Sequence, residues 1–216
     1  MVRRTKEDAN ATRHSLLDAA ETVFHERGVS RASLHEIALA AGATRGAIYW
    51  HFKDKSDLFN AMMDRVTLPL EQACGEFDNC AGLDPVQRLR GVMHVLLEQG
   101  ATDAHTRRVF EIALFRVEYV SELVGVRDRH ITASLAFTEA IARDFALAEQ
   151  ALGRPLPLPA DAAATALHAL FDGLIRNWLL TEGGFDLRAV GQGACDTFLR
   201  GLGLQWTDVP CPRGGG

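Results

Sequence analysis

What this sequence lacks narrows its possible functions before any motif is read. No run of about eighteen apolar residues occurs, so no membrane-spanning helix and no membrane partner are expected. The N-terminus, Met-Val-Arg-Arg-Thr-Lys-Glu-Asp, has no apolar stretch of the kind a signal peptide needs, and a cytoplasmic protein is expected. Cysteine is sparse: Cys74, Cys80, Cys195 and Cys211 form no Cys-x-x-Cys pair and lack histidines at ligand spacing. That argues against a disulfide framework or a zinc site and leaves buried or incidental thiols. His94, His105, His130 and His168 fit no metal-ligand spacing, and His35-Glu36 fails as H-E-x-x-H because position 39 is Leu39. A Gly-rich phosphate loop and a G-x-S-x-G elbow are both missing. No catalytic residue, metal or cofactor is expected, so the chain does not read as an enzyme. Strand-like alternation and internal repeats are absent as well.

Positive charge is also scarce, and its placement is informative. The 216 residues carry 23 Lys and Arg against 28 Asp and Glu, a net charge of −5. Residues 1–55 hold nine basic against seven acidic groups, net +2, and residues 56–216 hold fourteen against twenty-one, net −7. The only lysines, Lys6, Lys53 and Lys55, all lie in the first region. A basic end on an acidic bulk suits a chain whose N-terminal region faces a polyanion.

That region holds the most informative stretch, residues 33–52. Ser33 and Glu36 make an S-x-x-E capping box, a local start signal for a helix. Leu34, Ile37, Ala38 and Ala41 recur at helical spacing and give that helix one apolar face. Ala38 is small enough for close helix crossing, and Gly42 can take the positive φ of a sharp inter-helix turn. Thr44 is placed to cap a second helix in which Ile48 and Phe52 point to the core. Arg45, Gly46, Ala47, Tyr49, Trp50 and His51 are left on its outer faces, with Lys53 and Lys55 just beyond. An apolar inner face with an outer face of Arg, Tyr, Trp and His is what a DNA-recognition helix needs.

The run Thr44-Arg45-Gly46-Ala47-Ile48-Tyr49-Trp50-His51-Phe52-Lys53-Asp54-Lys55-Ser56-Asp57-Leu58-Phe59 resembles the DNA-binding domain of the TetR family of bacterial repressors. It looks closest to the AcrR branch, whose members repress multidrug efflux pump genes. The specific part of the resemblance covers roughly the first quarter of the chain. Beyond it, Thr106-Arg107-Arg108 with Glu111-Ile112, and Phe171-Asp172-Gly173-Leu174-Ile175-Arg176-Asn177-Trp178-Leu179-Leu180, are similar to later helices of that branch. Ala43 departs from the Val usual in the family.

The rest of the chain reads as helical throughout. Helices are expected over about 9–27, from Lys55 toward Phe77 with a kink at Pro69, from Asp84-Pro85 to about Gln99, and over 103–115. A long helix is expected over 118–150. Gly153-Arg154-Pro155-Leu156-Pro157-Leu158-Pro159 cannot be helical, and two more helices follow over 161–181 and 186–202. The expectation is an all-α chain of about nine helices. It comprises a helix-turn-helix DNA-binding domain over 1–54, a ligand-binding and dimerisation bundle over 55–204, and a disordered tail over 205–216.

Arg45 is the best candidate for reading a base, since its guanidinium fork pairs with guanine O6 and N7. Gly46 and Ala47 leave room for close approach to the groove. The resemblance implies phosphate contacts for Tyr49, His51 and Lys55, with Tyr49 in the core as the alternative. Trp50 either packs beneath the helix or lies on the sugar-phosphate backbone. Ser33, primarily a cap, and His35 stand near phosphate at the first helix start, and Arg3, Arg4 and Lys6 form either a basic arm or a solvated terminus. By analogy with the branch, Met63, Thr67, Val92, Met93, Leu96, Phe110, Leu114, Ile141, His168, Phe171 and Asp172 line an inducer pocket. Plain core is the competing reading for each of them, and an (i, i+4) ion pair with Arg176 accounts equally well for Asp172. Ala162, Ala163, Ala166, Leu167, Ala169, Leu170, Ala194, Phe198 and Leu202 are either a homodimer interface or internal packing. The resemblance implies a repressor that leaves a palindromic operator in double-stranded DNA when a small hydrophobic or amphipathic inducer binds. A regulator of metabolic genes, an enzyme bearing a helix-turn-helix and an architectural DNA-binding protein are the alternatives.

Overall fold

The computed structural model describes residues 6–78, 83–118 and 123–207. These residues contain nine α-helices and no strand, in agreement with the all-α expectation. In chain order they are α1 (Lys6–Arg27), α2 (Leu34–Ala40), α3 (Arg45–His51), α4 (Lys55–Asp78), α5 (Pro85–Thr102), α6 (Ala104–Phe115), α7 (Val124–Leu152), α8 (Ala160–Leu180) and α9 (Leu187–Gly201).

Local chemistry sets most boundaries. Gly28 ends α1 at φ 81°, a conformation that costs glycine no Cβ clash, and its N–H donates to the Phe24 carbonyl at 2.9 Å. Asp84 caps α5 by accepting from the Val86 and Gln87 backbone N–H groups, Gln87 returns a bond to the Asp84 N–H, and Pro85 opens the first turn. α4 continues through Pro69, which cannot donate to the carbonyl four residues back.

Two expectations are corrected. The long helix begins at Val124 rather than at Glu118, because Glu118 is non-helical and its carboxylate accepts from Ser30 Oγ at 3.1 Å. Residues 205–207 are not a disordered tail. Trp206 lies between two guanidinium groups, 4.4 Å from Arg90 and 5.0 Å from Arg200 to the ring centroid, and the Thr207 carbonyl accepts from Gln87 Nε2 at 3.0 Å. The remainder of that tail, with Cys211, lies outside the described residues, as do Arg3, Arg4 and Cys80.

The helices form two compact units that interleave along the chain. The first runs up to Leu68 and takes in His105–Thr132; the second takes in Pro69–Ala104 and continues from Ala133. In the first unit Leu16, Leu17, Ala20 and Phe24 of α1 are buried, as are Ile37, Ala38, Ile48, Phe52, Leu58 and Met62 and, from α6, Val109 and Ile112. α6 is also fastened to α1 by charge. The buried Glu21 meets His105 Nδ1 at 2.9 Å and Arg108 at 3.7 Å, and His25 Nε2 meets Glu111 at 3.2 Å.

In the second unit α9 packs against α5 and α8 around Leu89, Met93, Phe145, Leu167, Cys195 and Leu199. Burial, reinforced by Asp196, pushes the Cys195 thiol up to about 11, so it is an inert core group. Two partly buried ion pairs tie the helices together: Arg88 to Asp144 at 2.6 Å, and Arg90 to Asp196 through two bonds of 2.8 and 3.0 Å. Burial raises the Asp196 pKa, but the hydrogen bonds from Arg90 and Gln192 and the Arg90 charge outweigh it and hold the carboxyl below its ordinary value. The apolar positions of α8 and α9 divide between inside and outside. Ala163, Leu167 and Leu202 belong to this core, which settles them as internal packing, whereas Ala162 and Ala169 are exposed.

Gly191 lets α9 approach α5, for a Cβ there would lie 2.6 Å from Leu97 Cδ2. Gly191→Ala is therefore expected to lower stability, because an overpacking cost of ~1–3 kcal/mol exceeds the gain in helix propensity, itself at most ~1 kcal/mol. Gly75→Ala, where an added Cβ meets nothing within 4 Å, is expected to raise stability by ~0.5–1 kcal/mol. Urea denaturation of the two variants checks the opposite signs.

Candidate nucleic-acid interface

Two helices of seven residues each form the candidate interface, and side-chain caps define both. Ser33 is extended, its Oγ accepts from the Glu36 N–H at 3.2 Å, and Glu36 Oε2 accepts from the Ser33 N–H at 3.0 Å. The bonds from the Ser33 N–H and hydroxyl, with the nearby Arg27 charge, hold the exposed Glu36 carboxyl below its ordinary value. The turn follows at once: Gly42 adopts φ 64°, and the Ala43 N–H donates back to the Ala38 carbonyl at 2.8 Å. Thr44 then caps α3, its Oγ1 accepting from the Ala47 N–H at 3.1 Å.

α3 is oriented by what it buries. Ile48 and Phe52 are 0% and 1% exposed, so the opposite face is left outside. Arg45 and Gly46 lie exposed there, and Ala47 is half-buried beside them. Tyr49 is 50% and Trp50 73% exposed, which places neither of them in the core or beneath the helix. The Arg45 guanidinium leans over the Tyr49 ring at 5.8 Å, and the half-buried His51 meets Trp50 edge-on at 4.5 Å. Ser33, His35, Thr44 and Lys53 are exposed. Glycine is not demanded by packing at position 46: an added Cβ would meet nothing closer than Thr44 Oγ1 at 3.9 Å.

Lys55 has a different environment from Lys53. Its Nζ donates to the Ser30 carbonyl at 2.7 Å and to the Ala32 carbonyl at 3.1 Å, strapping the start of α4 to the turn between α1 and α2. Sequence reading misses this strap, because its partners are backbone carbonyls more than twenty residues away. It also misses Arg13, whose guanidinium lies 5.0 Å from the Phe52 ring centroid, and the pairs between α1 and α6. None has a local signature.

The residues expected to meet an inducer divide between the two units. Met63, Thr67, Phe110 and Leu114 are half-buried in the first, where Thr67 Oγ1 accepts from Arg129 Nη2 at 3.1 Å and Arg129 also pairs with Asp64. In the second, Met93 and Ile141 are core residues, with Val92, Leu96 and Phe171 packed against them. His168 Nδ1 lies 2.7 Å from Thr138 Oγ1, the Phe137 ring stands edge-on to the imidazole at 5.0 Å, and the exposed Asp172 is 3.5 Å from His168 Nε2. Because Thr138 Oγ1 donates to the Ser134 carbonyl, it accepts from His168, which fixes the proton on Nδ1. No group of three or more residues able to hold a metal ion occurs among the described residues. No helix among them is long and apolar enough to cross a membrane.

Comparison with known proteins extends over almost the whole chain. Residues 16–62 match the model of bacterial regulatory proteins of the tetR family, and residues 84–204 match that of the C-terminal region of MAATS-type transcriptional repressors. The chain is 37% identical over 204 residues to the HTH-type transcriptional regulator TtgR of Pseudomonas putida, spanning 94% of this chain and 97% of that protein. Among solved structures, NalD, the secondary repressor of the MexAB-OprM multidrug efflux pump in Pseudomonas aeruginosa, superposes with a TM-score of 0.82 at 36% identity, covering 91% of this chain and 98% of NalD. SmeT in complex with triclosan gives a TM-score of 0.77 at 32% identity, covering 94% of this chain and all of SmeT. On the strength of matches to both regions, the protein belongs to the TetR family of bacterial regulatory proteins, with the C-terminal region of the MAATS-type transcriptional repressors.

Proposed function

We propose that this protein is a homodimeric repressor that binds a palindromic operator in double-stranded DNA and is released from it by a small apolar or amphipathic inducer. In this reading residues 1–54 bind DNA, residues 55–204 bind the inducer and dimerise, and the regulated genes encode a multidrug efflux pump. The observation that carries the reading is the outer face of α3. Arg45, Gly46, Tyr49 and Trp50 stand exposed on a helix whose other face is fixed by Ile48 and Phe52. An open glycine beside an exposed Arg suits a surface that must come close to a groove. Lys53, His35 and Ser33 flank that face and reach phosphate, Thr44 and Ala47 lie at its near end, and His51 supports it. Lys55 serves the interface chiefly by holding α4 and the α1–α2 turn together. The efflux-pump assignment is supported by NalD and by SmeT, the repressor of the Stenotrophomonas maltophilia multidrug efflux pump SmeDEF.

The inducer site in this proposal draws on Met63, Thr67, Val92, Met93, Leu96, Phe110, Leu114, Ile141, His168, Phe171 and Asp172. Met and Phe walls accept varied apolar ligands, while His168 and Asp172 supply polar contacts. Triclosan bound to SmeT is a precedent for a small, largely apolar ligand on this fold. Induction requires the ligand to favour the arrangement that cannot hold the operator; a tenfold preference corresponds to ~1.4 kcal/mol. Dimerisation through α8 and α9 is supported by the exposed Ala162, Ala169, Leu180 and Val190 on those helices.

Arg45→Ala is expected to weaken specific binding by ~1–3 kcal/mol and relax preference at one base position, whereas Lys53→Ala weakens all sequences alike and flattens the salt dependence. Fluorescence anisotropy on operator and scrambled duplexes checks both, and equal losses on the two duplexes for Arg45→Ala would show that it reads no base. Gly46→Leu is expected to leave folding intact, since the site is open, while lowering operator affinity at least about tenfold through lost approach to the groove. Retained affinity in that variant would mean that α3 does not enter the groove closely. Sedimentation at micromolar concentration is expected to give a dimer, and a mass near 23.6 kDa would rule it out. Titrating hydrophobic antibiotics and dyes against the protein–operator complex tests induction, which is wrong if several bind the free protein and none releases DNA.

A further inference from the structure

The second unit contains a cavity of about 230 Å³ that includes neither the outer face of α3 nor any residue expected to meet an inducer. One wall is apolar. The Phe77 ring lies directly against α5 at Gly91, where an added Cβ would sit 2.4 Å from the ring, so only glycine allows Phe77 this position. The opposite chemistry comes from Gln192 of α9. Its Nε2 donates to Asp196 Oδ1 at 3.0 Å, and the amide cannot be turned over, because Oε1 would then face a carboxylate. Gln192 Oε1 is thereby left as a buried acceptor with no hydrogen-bond partner. Buried carbonyls of this kind are rare in folded proteins, and a ligand donor is one explanation for them.

The other lining groups restrict the charge of what fits. Arg90 contributes to the cavity, but its guanidinium is bound to Asp196 by two bonds and stacked on Trp206, so its charge is already matched. A cationic ligand would meet that guanidinium, and an anionic ligand would have to compete with Asp196. His94 is exposed and also lines the cavity. Size narrows the choice further. An apolar cavity of about 150 Å³ holds benzene, and pockets for drug-sized molecules begin at about 300 Å³. A volume between these limits suits one or two fused rings.

We propose that this cavity binds a small, uncharged, planar aromatic molecule carrying one N–H or O–H donor, with its ring on Phe77 and its donor on Gln192 Oε1. The site is separate from the proposed inducer site, so its occupancy does not depend on induction. Indole and 1-methylindole provide the test, since they share a ring system and only the first has a donor. In calorimetric titration of the full-length protein, indole is expected to saturate one site per chain, and 1-methylindole to bind at least tenfold more weakly. Gln192→Leu is expected to bring indole down to the 1-methylindole level. His94→Trp, at an exposed position of the lining, is expected to abolish binding while leaving helix content and operator affinity unchanged. The proposal is overturned if indole gives no saturable binding at millimolar concentration, or if the two molecules bind the unaltered protein equally. It is also overturned if indole binding survives both substitutions, which would place it among the inducer residues instead.

Discussion

The burial of Ile48 and Phe52 is the constraint on which the DNA-facing surface depends. Helices of seven residues are too short to be stable alone, so α2 and α3 persist only through caps and the apolar surface they bury. With Ile48 and Phe52 almost fully buried, helical geometry leaves Arg45, Tyr49 and Trp50 outside. Orientation of the exposed face is thus a by-product of core packing. The Thr44 cap fixes where the helix starts, and the Arg13 guanidinium over Phe52 closes the ring from the α1 side.

The same short helices need outside support, and it comes from charge as well as from apolar contact. Lys55 spans from α4 to the carbonyls of Ser30 and Ala32, and the Val29 N–H donates to the Arg116 carbonyl at 2.8 Å just after α6. Glu21 and His25, one turn apart on α1, meet His105, Arg108 and Glu111 of α6. The helix-turn-helix is therefore not an isolated N-terminal module. It shares a compact unit with α6, so changes in α6 act directly on the scaffold beneath the recognition helix.

Much of this was legible in the sequence where the physics is local. The Ser33–Glu36 box, the Gly42 turn, the Thr44 cap and the Asp84-Pro85 start are each decided by bonds within four residues, and each holds in the structure. Less could be read where the outcome depended on a distant partner. Trp50 stayed ambiguous in the sequence because an amphipathic residue fits either environment. Glu118 was assigned to a helix because nothing local marks its bond to Ser30, and the tail was assigned to disorder because the two arginines that enclose Trp206 lie on other helices.

The sequence by itself determined that the chain is helical, where most helices begin and end, and which two residues anchor α3. These follow from hydrogen bonds and side-chain periodicity over one or two turns, which the residue order specifies directly. Only the tertiary structure decided which apolar positions of α8 and α9 are interior, that Lys55 is a strap, and that Gln192 keeps a buried acceptor unpaired. Each of these depends on helices brought together from far apart in the chain. A side chain's periodicity gives the face it occupies, but its neighbours are set by packing.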